Sequence, residues 1–178
     1  MSTKHVWITR DFLRCSGCRM CEIACSLSHE GRIWPDASRI RVFMYAPGIE
    51  FPHLCAQCHD YPCVEACPTK PKALSVDEKT GAIIVDREKC ISCGNCIRAC
   101  PGHVPFLHPK DNKATICDLC NGDPQCVKIC REAGFDCLNV VTYDKGQGEA
   151  LNYRVYARDP KAIAEGLTEL MFGEKMEV

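Results

Sequence analysis

KCISCGNCIRACP, residues 89–101, carries four cysteines in the spacing C-x2-C-x2-C-x3-C and ends in a proline. The cysteines are Cys90, Cys93, Cys96 and Cys100. Glycine at position 94 lets the loop turn so that three sulfurs converge and backbone N–H groups face an anionic cluster. Pro101 stops the helical turn that carries the last cysteine. The spacing predicts that three thiolates bind one iron–sulfur cube and that the fourth binds a second cube.

The chain repeats this plan three more times, and each repeat begins C-x2-C, ends C-x3-C and differs only in its middle spacer. The other quartets are Cys15, Cys18, Cys21 and Cys25, then Cys55, Cys58, Cys63 and Cys67, and finally Cys117, Cys120, Cys126 and Cys130. The four quartets use sixteen of the seventeen cysteines and predict four [4Fe–4S] clusters. Cys137 remains, and we expect it to be a buried apolar thiol.

Seventeen cysteines in 178 residues raise the alternative of a disulfide scaffold. Three features argue against it: the odd count, the grouping into C-x2-C pairs, and an N-terminus (MSTKHVWITRDF) without the apolar segment of a signal peptide. We therefore expect a reducing, cytoplasmic location. No apolar run is long enough to cross a bilayer, so no direct membrane insertion is expected.

The net charge argues against nucleic-acid binding, and the spacing of the cysteines argues against zinc. The formal net charge is −1, and four oxidised cubes with their thiolates would add about −8, which does not suit a nucleic-acid binder. Zinc is the rival metal, but structural zinc sites separate two C-x2-C pairs by a longer gap. The compact quartets, two of them followed by Pro68 and Pro101, favour iron–sulfur. The fourth quartet has the loosest spacer and is where zinc, or a missing cluster, fits best.

The segments between the quartets predict an α+β fold with little apolar core. Alternating residues predict strands at 6–9 and 39–45. Residues 73–76 and 82–85 predict a β-hairpin around the turn DEKTG.

The remaining connections give weaker signals. Residues 26–37 are expected to form a loop whose Trp34 either shields a cluster from solvent or faces a partner. Residues 46–54 are expected to be a Pro/Gly-rich connection, and residues 137–143 a weaker counterpart of the hairpin.

The C-terminal part, from residue 144 onward, has no cysteine. Residues 144–150 predict a flexible turn, residues 151–156 an extended segment, and residues 159–172 a helix with Asp159 as N-cap and Pro160 in first position. Its predicted apolar face comprises Ile163, Leu167, Leu170 and Met171. That face would dock on the cysteine-rich part or on another subunit. We thus divide the chain into a duplicated cluster domain, 1–143, and a C-terminal extension, 144–178.

The sequence carries no sign of a catalytic site. It lacks a nucleophile elbow, a P-loop and a GxGxxG motif. His59 and His103 lie beside quartets, and we expect them near clusters rather than as ligands. Because clusters bound by four thiolates offer a substrate no open position, the prediction is a non-catalytic electron carrier.

Taken together, the four quartets resemble the iron–sulfur electron-transfer subunits of molybdopterin and tungstopterin oxidoreductases of the dimethyl-sulfoxide-reductase type. The matching motifs are CSGCRMCEIAC at 15–25, CAQCHDYPCVEACP at 55–68, CISCGNCIRACP at 90–101 and CDLCNGDPQCVKIC at 117–130. Within that family the chain is most similar to the small subunits of tungsten aldehyde oxidoreductases and of tungsten-dependent benzoyl-CoA reductase. It departs from the pattern at Ser26 and Arg131, where a proline would follow the quartet.

The resemblance implies a duplicated bacterial-ferredoxin-like fold, with short hairpins and helices around the clusters, in which paired quartets exchange their fourth cysteines. The implied ligand sets are Cys15, Cys18, Cys21 and Cys130; Cys117, Cys120, Cys126 and Cys25; Cys55, Cys58, Cys63 and Cys100; and Cys90, Cys93, Cys96 and Cys67. It also implies electron transfer between a large tungsto- or molybdopterin subunit and a ferredoxin or flavin subunit. The alternatives are a free-standing polyferredoxin, a structural zinc module and an enzyme with a labile cluster.

Overall fold

The computed structural model describes residues 4–144 and 156–173, which form an α+β fold of short elements as predicted. The strands of this part are β1 (Lys4–Arg10), β2 (Arg41–Ala46), β3 (Ile49–His53), β4 (Leu74–Val76), β5 (Ile83–Val85), β6 (Phe106–Leu107), β7 (Ala114–Thr115) and β8 (Leu138–Asp144). Its α-helices are α1 (Met20–Glu30), α2 (Pro62–Glu65), α3 (Asn95–Ala99), α4 (Gln125–Glu132) and α5 (Pro160–Phe172). The strands pair antiparallel as β1–β8, β2–β3, β4–β5 and β6–β7.

The two ends of the cysteine-rich part pair with each other. β1 and β8 run antiparallel from Lys4 opposite Asp144 to Arg10 opposite Leu138. Residues 137–143, expected to be a weaker counterpart of the hairpin, largely coincide with the strand β8, but its partner is β1 and not a neighbouring segment. Ile8 in β1 is fully buried, so the apolar side of this ribbon covers the core from above the first and fourth quartets.

Each quartet places its third cysteine in a short helix, and the residue after the fourth cysteine sets the helix length. Pro68 and Pro101 follow two quartets, and there α2 and α3 end before the fourth cysteine. Cys100 is extended, at φ −78° and ψ 119°, as expected for a residue before proline. In the other two quartets Ser26 and Arg131 replace the proline, and there α1 and α4 continue past the fourth cysteine.

Two connections predicted as irregular contain regular structure. Residues 26–30, assigned to a loop, belong to α1, which ends only at Gly31 in a left-handed C-cap (φ 66°). Residues 49–53, assigned to a connection, form β3, which folds back on β2 through a turn at Gly48 (φ 89°). The Pro/Gly content of this segment marked the turn and not the absence of a strand.

The predicted hairpin is confirmed as the pair β4–β5. The Asp77 carboxylate accepts hydrogen bonds from the N–H and the hydroxyl of Thr80 at 2.9 and 2.6 Å. Gly81, at φ 76°, closes the turn by donating to the Asp77 carbonyl oxygen at 2.8 Å. These contacts fix the conformation of the turn. The hairpin lies beside the second and third quartets.

The C-terminal helix is confirmed with its cap, because the Asp159 carboxylate accepts a hydrogen bond from the Ala162 N–H at 3.1 Å. The helix docks on this chain, burying Ile163 and Leu167 against β3. The predicted apolar face is wrong at its far end, since Leu170 and Met171 are 69% and 46% exposed. Burial follows the face through Ala164 and Thr168 instead, where small side chains allow close approach.

The extended segment predicted for residues 151–156 and most of the turn at 144–150 lie outside the described residues. The division into residues 1–143 and 144–178 stays a prediction. Within the described ranges, none of the helices combines the length and apolarity that crossing a bilayer requires.

Candidate iron–sulfur centres

The four C-x2-C loops share one backbone feature. In each loop the residue before the second cysteine adopts a left-handed conformation, with φ between 46° and 70°. These residues are Gly17, Gln57, Ser92 and Leu119. Only one of them is glycine, so the other three carry a conformational cost that local interactions must outweigh. This conformation turns successive backbone N–H groups inward, as anion-binding loops do.

A first cavity, of about 330 Å³ including its mouth, is lined by cysteines from the first and fourth quartets. They are Cys15, Cys18, Cys21 and Cys130. Cys137 lines the same cavity, and a hydrogen bond from its thiol lowers the pKa of Cys15 to about 7. The expectation of a buried thiol is met, with Cys137 only 2% exposed, but this thiol faces a cysteine cluster.

Two further cavities join the second and third quartets. One, of about 410 Å³, is lined by Cys55, Cys58, Cys63 and Cys100. The other, of about 320 Å³, is lined by Cys67, Cys90, Cys93 and Cys96. In both cavities three cysteines come from one quartet and the fourth comes from its partner. Helices α2 and α3, which carry the third cysteines, pack against each other.

The remaining four cysteines also lie together, where α1 packs on α4. Cys126 interacts with Cys117, Cys25 and Cys120. Burial raises the pKa of Cys117 and Cys126 well above the usual range. The structure therefore brings together all four sets that the resemblance implies, and their role as ligands stays a prediction.

The donor chemistry of these sites fits an iron–sulfur cluster. The described residues that line the three cavities include no histidine and no carboxylate, and thiolates are the ligands of [4Fe–4S] clusters. Backbone N–H groups donate to sulfurs of two quartet cysteines, from Ala114 to Cys90 at 3.4 Å and from Arg39 to Cys25 at 3.3 Å. Hydrogen bonds of this kind stabilise anionic sulfur.

Burial favours the protonated form of several of these thiols. It raises the pKa of Cys58 to about 12 and that of Cys63 to about 11. Loading a cluster must therefore displace protons, and the affinity for metal falls as the pH falls.

A polar network surrounds the set formed by Cys25, Cys117, Cys120 and Cys126. The His29 ring nitrogens contact the Cys25 carbonyl oxygen at 2.8 Å and an Asp118 carboxylate oxygen at 3.1 Å. Arg39 binds the other Asp118 oxygen. For Cys25, burial opposes ionisation, but the contacts with His29 and Arg39 outweigh it and hold its pKa below the usual value.

His29, Asp118 and Cys120 also place one potential ligand atom each within 4.8 Å of one another. This is the point at which a single metal ion would compete with a cube, in the quartet where the sequence predicted zinc to fit best. Both Asp118 oxygens are already engaged by His29 and Arg39, which favours a hydrogen-bonded support for the cysteines over a third ligand.

Sequence reasoning missed several residues of these centres. It assigned no role to His29, Asp118 or Arg39, because they come together only when α1 meets the fourth quartet. It also missed Arg10, a cation buried between quartets. His103 is exposed, and Trp34 packs edge-on against His108 with ring centroids 5.4 Å apart; their expected places near clusters stay predictions.

The fold and the thiol-lined centres define the class of a ferredoxin-type protein that binds several clusters. Residues 48–140 match the 4Fe-4S dicluster domain family, and residues 12–28 match a 4Fe-4S binding domain. The chain belongs to this 4Fe-4S dicluster family. It thus carries multiple [4Fe–4S] clusters.

Relatives cover nearly the whole chain. The "aliphatic sulfonate oxidoreductase, polyferredoxin-like subunit" of Pyrococcus furiosus is 54% identical over 171 residues, 96% of this chain and 95% of that protein. The "thiosulfate reductase electron transfer subunit PhsB" of Salmonella typhi is 31% identical over 144 residues, 72% of each chain. Among solved structures, a chain of the BamBC active-site complex of benzoyl-coenzyme A reductase aligns over 97% of this chain and 93% of its own, with 22% identity and a TM-score of 0.47. The predicted class is confirmed: the chain is a non-catalytic electron-transfer subunit.

Proposed function

We propose that the chain holds four [4Fe–4S] clusters and passes electrons, in the cytoplasm, between a large tungsto- or molybdopterin subunit and a ferredoxin or flavin partner. One observation carries the proposal: the four cysteines of each implied ligand set lie together. Three of the four sets line a cavity. A disulfide scaffold or a pair of zinc sites gives no reason for this exchange of the fourth cysteine.

The fourth quartet has the loosest spacing, and two features support a cube bound by Cys117, Cys120, Cys126 and Cys25. Its C-x2-C loop has the same left-handed residue as the other three, at Leu119 with φ 57°. Helix α4 packs on α1 as α3 packs on α2. The outer pair of quartets therefore repeats the arrangement of the inner pair, which is what a duplicated two-cluster unit requires.

A bound [4Fe–4S] cube accepts and releases one electron at a time. The protein's part is to hold the cubes and to expose their edges selectively. Cys18 and Cys93, on the first and third quartets, are exposed, and the other quartet cysteines are buried or half-buried. In the proposed ligand sets the exposed pair belongs to two different clusters, so a partner can approach the protein at either of two places.

The relative from Pyrococcus furiosus suggests the kind of catalytic partner. Its printed name assigns it to an oxidoreductase of aliphatic sulfonates, and its identity of 54% spans nearly both chains. An aliphatic sulfonate is therefore the first substrate class to test on a co-purified complex. The alternative function is a free-standing polyferredoxin, but the relative's name, a polyferredoxin-like subunit of an oxidoreductase, supports the subunit role.

Metal analysis of anaerobically purified chain tests the cluster count. Four cubes predict about 16 iron and as many acid-labile sulfides per chain. About 12 iron would remove one cluster from the proposal, and zinc without sulfide would overturn it. Low-temperature EPR after dithionite should show spin-coupled signals, because the exchange of fourth cysteines holds paired clusters close together.

Purification from the native cell tests the partner. A large subunit containing tungsten or molybdenum should co-purify, and a chain isolated alone would favour the free carrier. Cys96→Ser should slow the reduction of that partner while its own metal content stays unchanged. An unchanged rate of electron transfer would contradict the proposed role.

A further inference from the structure

Arg10, the last residue of β1, is a cation in the interior of the protein and only 4% exposed. Its Nη2 donates to the carbonyl oxygens of Leu54 and Cys55 at 2.9 and 3.0 Å. Its Cζ lies 4.6 Å from the centre of the Tyr156 ring. The Tyr156 hydroxyl in turn donates to the Arg10 carbonyl oxygen at 3.0 Å, so the backbone and side chain are both fixed.

This cation lacks the partner that a buried charge normally needs. Arg10 forms no ion pair with a carboxylate of residues 4–144 and 156–173. Its Nε and Nη1 are buried and have no hydrogen-bond partner among the residues that the structure describes. An uncompensated buried charge is strongly unfavourable, which means that negative charge must come from a group nearby.

Besides the Tyr156 hydroxyl, the groups whose negative charge would act on Arg10 are cysteines of two proposed ligand sets. Cys55, Cys117 and Cys126 are the thiols whose charge interacts with Arg10. Cys55 belongs to the set with Cys100, and the other two belong to the set with Cys25. An arginine guanidinium is not deprotonated in proteins, so Arg10 is charged at neutral pH.

We propose that Arg10 is a positioning residue, the counter-cation shared by these two clusters, and that its charge makes them easier to reduce than they would be without it. The inference rests on the proposed function. Each one-electron reduction adds one negative charge to a cluster, and a fixed cation in a low-dielectric interior stabilises the reduced form. Net charge around a cluster is one of the determinants of its reduction potential.

The Cys117 and Cys55 thiols are close enough for their charges to interact, so the two proposed clusters are neighbours. They come from the outer and the inner pair of quartets. Arg10 therefore lies at the only place where the described contacts of these cysteines bring the outer and the inner pair of quartets together. Its charge would stabilise a reduced cluster there and so favour electron transfer between the two pairs.

Potentiometric titration followed by EPR tests this role on the full-length holoprotein under anaerobic conditions. Arg10→Gln removes the charge and keeps a hydrogen-bond donor, Arg10→Lys keeps the charge, and Arg14→Gln is the control because Arg14 is 53% exposed. We expect Arg10→Gln to reduce the reduction equilibrium constant of two clusters at least tenfold, which is 59 mV for a one-electron couple. The other two clusters should change less than threefold, as should all four in Arg10→Lys and Arg14→Gln.

Iron and sulfide analysis separates the failures. Wild-type chain with far fewer than about 16 iron would overturn the proposed function itself. Fully loaded Arg10→Gln with unchanged potentials would overturn only this inference. If Arg10→Gln does not assemble its clusters, Arg10→Lys tests the inference. Full loading of Arg10→Lys with unchanged potentials would support the role of the charge. Loss of clusters equal to that in Arg10→Gln would overturn it, because only the guanidinium's hydrogen bonds would then matter.

Discussion

Cys137 belongs to no quartet, yet it lies in the first cavity beside Cys15. Its thiol donates a hydrogen bond to the Cys15 sulfur, and this bond together with burial raises the pKa of Cys137 far above the usual range. A thiol that stays protonated is a poor metal ligand but a useful donor to a neighbouring thiolate. Donors to ligand sulfurs are among the determinants of cluster potential.

Replacing Cys137 therefore separates a donor from a ligand. Cys137→Ala should keep about 16 iron per chain, cost about 1 kcal/mol of stability for the small cavity left behind, and lower the potential of one cluster. Cys137→Ser, which retains a donor, should leave that potential closer to wild type. Cys130→Ala, the matched variant in the same cavity, should lose iron. Iron loss in Cys137→Ala would instead identify this thiol as a ligand.

Single residues also show where sequence reasoning ends. The sixteen quartet cysteines could be named from spacing because the spacing is local. The cation at Arg10 could not, because nothing in VWITRDF distinguishes a buried arginine from an exposed one. Its burial depends on Leu54 and Cys55, which lie 44 and 45 residues away.

At the scale of elements, one residue after each quartet decides the length of a helix. Proline at 68 and 101 was visible in the sequence, and the short helices α2 and α3 follow from it. Ser26 is equally visible, but the sequence around it predicts the start of a loop. In fact its hydroxyl bonds back to the Ile23 carbonyl oxygen at 3.1 Å and accepts the Trp34 N–H at 3.1 Å, so it supports the helix and the chain that follows.

Ser26→Pro tests this dependence directly. Proline at this position clashes with the preceding turn of α1 and removes a helical hydrogen bond, at a cost of about 3 kcal/mol or more. We expect a lower midpoint of denaturation for the holoprotein and weaker packing of α1 on α4. Ser26→Ala is the control, which loses the two hydroxyl hydrogen bonds at roughly 1 kcal/mol each. Equal stability of the two variants would mean that α1 is not needed beyond Cys25.

Strand pairing was predictable only where it is local. The β4–β5 hairpin closes over the five residues DEKTG and was found from alternation and turn chemistry. The β1–β8 ribbon joins Arg10 to Leu138, and no local pattern specifies such a partner, because strand preference depends on tertiary contacts.

At the scale of the molecule, the described residues form two apolar cores of different composition. In the larger one, nine of the 24 buried residues are cysteines. The smaller one contains none and joins β3 to α5 through Ile49, Phe51, Ile163, Ala164 and Leu167. The larger core should therefore depend on bound clusters for its stability, since metal binding supplies folding free energy, and the smaller one should depend on ordinary apolar burial.

Removal of the clusters by chelator and oxidant should separate these cores. In hydrogen-exchange mass spectrometry we expect the cysteine-bearing helices α1–α4 to lose protection first, while α5 and β3 keep theirs longer. Leu167→Ala is the matched opposite: it should cost about 3 kcal/mol and expose α5 to exchange in a holoprotein that still holds its iron. If cluster removal and Leu167→Ala each release both cores together, the chain folds as one cooperative unit. In that case the clusters also stabilise the helix that the sequence assigned to a separate extension.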